Sequence, residues 1–128
     1  MTTPELGERL LATPDALLLR QWGQAQGHDD IVDLLDEAQI VPSDELPADA
    51  VSLGASVELE DVANGHRHTL TPCAPELSAP ALGRISVLSP AGLALMGLRV
   101  GDTARWHNPS GADGAARIVA VHPPPAQA

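Results

Sequence analysis

Phenylalanine, tyrosine and lysine are absent from these 128 residues, and Trp22 and Trp106 are the only aromatic side chains. A core without phenyl or phenol rings has to be aliphatic, built from Leu, Ile, Val, Ala and Met. The same shortage removes the stacking platforms on which single-stranded nucleic acids are held. Cations are scarce as well: seven arginines stand against 17 acidic residues, giving a net charge of −10. Duplex affinity comes largely from cations that displace condensed counterions, so direct nucleic-acid binding is not expected. Binding to a protein that handles nucleic acid stays open. Cys73 is single, which excludes an internal disulfide and a Cys-based zinc cluster and fits a reducing cytoplasm. No apolar run approaches 18 residues, so no membrane span is expected. The opening MTTPELGERLL lacks the basic and then apolar segments of a signal peptide.

What is present reads as a folded chain, with 44% hydrophobic and 19% charged residues. Its length suits one ordinary domain, or a domain of about 80 to 90 residues with a small helical appendage. Thr3-Pro4-Glu5 and Thr13-Pro14-Asp15 each have the form of a helix start: a hydroxyl cap, Pro at the first helical position and an acid facing the dipole. They predict a kinked or two-piece helical stretch from about 4 to 25, with Leu6, Leu10, Leu17 and Leu18 as apolar positions and Gly23 and Gly27 at its end. Asp29 or Asp30 caps a second helix, in which Ile31, Leu34, Leu35 and Ala38 follow the spacing of one apolar face. The two predict a short helical hairpin over 1–41, closed off by Pro42 and Pro47.

From Val51 the period falls to two. Val57 and Leu59 alternate with polar neighbours, Asn64-Gly65 marks a hairpin turn, and HRHTLT returns as the partner strand. A Pro-rich connection to Gly83 leads to a short strand, RISVL. SPAGLALMG then predicts a brief helix with Ser89 as cap, Pro90 first and Gly97 as stop. Thr103 to His107 and Ala115 to Val121 predict a last strand pair across PSGADG, and the tail at 123–128 is expected to be disordered. The fold class is α+β, a small antiparallel sheet half-wrapping one short helix.

ISVLSPAGLALMGLRVGDTARW, followed by NPSG and closed by RIVAV, resembles the C-terminal domain of the GreA/GreB family of bacterial transcription elongation factors. LGASVELED and its Asn-Gly turn agree with the first hairpin of that domain. The resemblance covers about 51–122 and implies an FKBP-like fold. LLDEAQIVPSDELPADAVSLGASV is more similar to the Rnk branch, regulators of nucleoside diphosphate kinase. That likeness implies a cytoplasmic, monomeric, non-enzymatic regulator without a cofactor. Its partner is bacterial RNA polymerase, at the β′ rim of the secondary channel, where it competes with Gre factors without stimulating transcript cleavage. The family motif assigns docking to Leu88, Ser89 and Pro90. Leu88 departs from the polar residue that precedes Ser-Pro in many cleavage factors.

Two alternatives stand beside this reading. Acidic residues at the tip of a long coiled coil help hold a catalytic magnesium in the cleavage factors, and Asp29 and Asp30 sit at the tip expected here. A helix from Asp30 to Ile40 reaches only about 16 Å, and paired acids at a helix start are also what capping favours. The Rnk likeness in turn allows indirect control of nucleoside diphosphate kinase through a protein partner. His66 and His68 alternate near Cys73 and have the residue types of a zinc site, with His107 and His122 as distant candidates. Without a second close pair of ligands, exposed strand histidines are the simpler reading. Prolyl isomerase chemistry is disfavoured, because its pocket is lined by aromatic residues and only Trp106 falls in this domain. The acidic excess from Asp29 to Glu60 is a solvated face that also suits docking on a basic channel entrance.

Overall fold

A computed structural model describes residues 9–26, 29–107, 111 and 113–124. The proposed start at Thr3-Pro4-Glu5, Leu6, Gly27, Pro109, Ser110 and Ala112 of PSGADG and the last four tail residues lie outside the described residues. Strand β1 (Leu10–Ala12) leads into helix α1 (Thr13–Gln26), followed by α2 (Asp29–Glu37) and β2 (Gln39–Val41). Leu10 to Ala12 are therefore extended rather than helical. They pair in parallel with β2, Leu11 opposite Ile40, and parallel neighbours need such a crossover, here supplied by the two helices. A three-residue strand made by a partner almost thirty positions away has no local signature.

Helix α1 begins at Thr13-Pro14-Asp15, as its sequence predicts, but two of these side chains reach outside the helix. The Thr13 hydroxyl donates to Val41 O at 3.2 Å, and the Asp15 carboxylate accepts from Leu53 N at 3.1 Å. The buried face of α1 is Ala16, Leu19 and Gly23, whereas Leu17 is 53% exposed. Gly23 lies inside the helix instead of ending it. A Cβ there would come within 3.0 Å of Ile31, so its bare backbone lets α2 approach. Helix α2 buries Ile31 and Leu34, as its spacing predicts.

Burial pushes the Asp15 carboxyl above its ordinary pKa, opposed by the Leu53 N–H. A carboxyl raised in the folded state contributes stability below its unfolded pKa and loses it as pH rises through the folded value. Asp15→Asn keeps an acceptor and removes the half-buried charge. The variant is expected to match or exceed the parent in Tm at pH 7, with the difference closing as pH falls through the carboxylate range. A Tm difference independent of pH contradicts this.

The second part of the chain is a five-stranded sheet in the order β5-β4-β3-β7-β6, formed by β3 (Ser56–Asp61), β4 (Arg67–Cys73), β5 (Arg84–Ser86), β6 (Thr103–His107) and β7 (Asp113–His122). Three of its pairings are antiparallel, but β5 runs parallel to β4 and is shorter than RISVL suggests. The β3–β4 hairpin turns at Asn64-Gly65, with Gly65 at φ +76° and the Asn64 side chain accepting from His66 N. Val57 and Leu59 on β3, Ala104 on β6, and Ala116 and Ile118 on β7 are buried. Helix α3 (Pro90–Leu95) packs against the sheet through β4, β5 and β6. Leu95 and Met96 are wholly buried, filling space that aromatic rings take in other cores. One apolar cluster runs from Leu11, Leu19 and Ile31 through Val51 to Ile118, joining the helices and the sheet.

Candidate docking site

The N-terminus of α3 is held by a set of short contacts to the end of β5. Ser89 N and the Ser89 hydroxyl both donate to Ser86 O, at 3.0 and 2.6 Å. Gly92 N donates to the Ser89 hydroxyl at 3.2 Å, and Leu88 N to the Ser86 hydroxyl at 3.0 Å. Ser89 is thus a helix cap whose hydroxyl both donates and accepts within the fold. Gly92 faces Ser86 O so closely that a Cβ there would lie 2.1 Å from it. Leu88 is half-buried and Pro90 is exposed. With the hydroxyl engaged internally, this end of the molecule presents apolar shape more than free hydrogen-bonding groups.

Arg9 fixes the other end of the same helix. Its Nη1 donates to Ala94 O at 3.0 Å and Met96 O at 2.8 Å, with Leu93 O at 3.5 Å. These are carbonyls at a helix C-terminus, where a cation also complements the dipole. Burial pulls the Arg9 pKa below its ordinary value, while Glu37 and Asp102 act in the opposite direction. Leu10 N donates to Gly97 O at 3.0 Å, and Gly97, at φ +82°, leaves room for Arg9. Both ends of α3 are therefore tied to separate parts of the chain. Arg9, Ser86 and Gly92 escaped the sequence reading, although the Ser-x-x-Ser spacing of 86 and 89 carried a signal.

The remaining candidates are dispersed. Helix α2 opens at Asp29 and Asp30, and its nine residues extend about 14 Å. His66 belongs to the turn before β4 rather than to the strand, and His66 and His68 are both exposed. Cys73 is buried, donates its Sγ hydrogen to Ile85 O at 3.4 Å, and has its pKa raised by burial. His107 pairs with Asp113 at 2.7 Å and His122 with Glu58 at 2.5 Å. Among the described residues, no three His, Cys, Asp or Glu side chains gather as a metal site, and no helix is long and apolar enough to cross a membrane.

Residues 46–123, which hold the whole sheet and α3, match the family described as "Transcription elongation factor, GreA/GreB, C-term". The chain belongs to the GreA/GreB family. The "Regulator of nucleoside diphosphate kinase" of Escherichia coli (strain K12) is 35% identical over 77 residues, covering 60% of this chain and 57% of that protein. "Transcription elongation factor GreA" of Desulfovibrio desulfuricans is 42% identical over 73 residues, covering 57% of this chain and 45% of that protein. The chain thus spans about half the length of these GreA/GreB relatives. A solved structure, "Prokaryotic transcription elongation factor GreA/GreB from Nitrosomonas europaea", superposes with a TM-score of 0.75 at 28% identity, covering 91% of this chain and all of that one. The helices α1 and α2 lie before the matched span, whereas Leu88, Ser89 and Pro90 lie inside it.

Proposed function

We propose that this GreA/GreB-family chain is a cytoplasmic, monomeric regulator that binds bacterial RNA polymerase at the β′ rim of the secondary channel. It competes there with Gre factors and performs no chemistry of its own. In this reading the sheet and α3 form an FKBP-like docking domain. Leu88, Ser89 and Pro90 contact the polymerase, and α1 and α2 form a short helical hairpin that obstructs the channel entrance. The observation that carries the reading is the brevity of α2: about 14 Å of helix, in a chain of this family, is too short an arm to deliver Asp29 and Asp30 to a distant catalytic centre. Occupancy then remains as the mechanism. The charge of −10 suits encounter with a basic channel entrance, where complementarity raises the association rate more than the final affinity.

A second reading is favoured by the name of the 35% identical relative, a regulator of nucleoside diphosphate kinase. A pull-down from the native host separates the two. Recovery of the polymerase β′ subunit is the expected outcome. Recovery of a nucleoside diphosphate kinase without polymerase supports the second reading instead.

A further inference from the structure

Four of the seven arginines stand on one face of the sheet. By the register of the strands, Arg84 on β5, Arg67 on β4, Arg117 on β7 and Arg105 on β6 fall on the face turned away from the buried Leu59, Ala104 and Ala116. All four are exposed, and Arg105, on the edge strand, also borders a groove on the α3 side. Of the 17 acidic residues only Glu58, Glu60 and Asp113 share these strand positions.

Each of those three acids has a partner within the fold. Glu60 pairs with Arg117 at 3.1 Å, Glu58 with His122, and Asp113 with His107. The guanidinium groups of Arg67, Arg84 and Arg105 have no hydrogen-bond or ion-pair partner among the described residues. A chain with a net charge of −10 therefore keeps three unpaired cations on one solvated surface, with Ser, Thr and Ala filling most positions between.

That charge selects an acidic occupant, and its spacing discriminates between acidic ones. Arg67 and Arg117 lie on the strands either side of Glu60, two strand spacings or about 10 Å apart. Thr103 faces Arg117, which makes Arg105 a diagonal neighbour at about 7 to 8 Å. A nucleic-acid strand carries a charge at every nucleotide and brings phosphate over Glu60 as well. It also finds no stacking platform, because Trp106 lies on the opposite face. A second copy of the chain is repelled by its own net charge of −10. A protein segment sets neutral residues between its acids, and its carboxylates match the guanidinium fork.

We propose that the outer face of the sheet is a second docking surface, which takes an acidic protein segment with its carboxylates on Arg67, Arg105 and Arg117. It goes beyond the polymerase reading and does not depend on it. Helix α3 packs on the other face, so the outer face is open whether or not the Ser89-Pro90 end is engaged.

The test titrates the full chain into a fluorescein-labelled peptide of Glu-Glu-Ser repeats, about 15 residues long, at about 0.05 M salt. Arg67→Glu and Arg105→Glu are compared with Arg20→Glu, which makes the same charge change at an exposed position on α1. The first two are each expected to weaken binding about tenfold or more, with Arg20→Glu within about threefold of the parent and all binding falling as salt rises. Equal losses in the three variants, no loss in any, or no binding by the parent overturn the proposal. Amide shifts of the parent on adding peptide give an independent readout, expected in β4, β6 and β7. Shifts confined to α1 and α2 overturn it. An unlabelled single-stranded RNA of similar length is expected to displace the peptide poorly. Displacement as strong as by unlabelled peptide, or self-association of the parent that Arg67→Glu abolishes, overturns the choice of occupant.

Discussion

Gly92→Ala is expected to lower the stability of the folded chain by about 3 kcal/mol, a cost at the upper end of ordinary overpacking. The reason is geometric and does not depend on helix propensity, since Ala is the better helix former. A Cβ at residue 92 would sit 2.1 Å from Ser86 O, well inside van der Waals contact. That carbonyl is a backbone atom in the sheet and already accepts from Ser89 N and the Ser89 hydroxyl. Relief requires α3 to move away from β5, which opens the cap and the core beneath it together. Chemical denaturation measures the loss. Gly65→Ala serves as the comparison: it has nothing within 4 Å of its Cβ, only a positive φ of +76°, and is expected to cost about 1 kcal/mol. Equal losses at the two positions would contradict the close approach.

Arg9→Met is the second large effect, expected at about 2 to 3 kcal/mol from the range for hydrogen bonds made by charged groups. Methionine retains an apolar stem but leaves Ala94 O and Met96 O, 3.0 and 2.8 Å from the guanidinium, without that donor. Local exposure is expected to follow, because Arg9 adjoins β1, whose Leu10 N meets Gly97 O. Amide exchange should therefore rise in β1 and at the end of α3 more than in the β3–β7 pair. A uniform rise across all strands, or none, would show that Arg9 does not tie the helical segment to α3.

Much of what places the candidate site is written locally. Ser89, Pro90 and Gly97 define α3 because cap, first-turn proline and left-handed stop act within one short segment. Asn64-Gly65 fixes the first hairpin in the same way, and Ile31 and Leu34 declare the buried face of α2. The departures all depend on distant partners. Leu10 to Ala12 become a strand only because β2 lies beside them, and β5 runs parallel to β4 because the Pro-rich connection carries the chain across. Gly23 reads as a helix end by composition and acts as a contact point because Ile31 presses on it. Arg9 was invisible for a similar reason, since its acceptors lie more than eighty positions away. The family resemblance supplied what periodicity does not: an assignment of the Ser-Pro end to docking.

The central claim is that this GreA/GreB-family chain acts on polymerase by occupancy. Backtracked transcription complexes incubated with a Gre cleavage factor and increasing amounts of the purified chain test it most directly, with transcript length as the readout. The account predicts that the chain alone leaves the transcript intact and that, in excess, it suppresses shortening by the Gre factor. Shortening by the chain alone, abolished by Asp29→Ala with Asp30→Ala, would contradict it, as would undiminished cleavage at saturating amounts of the chain.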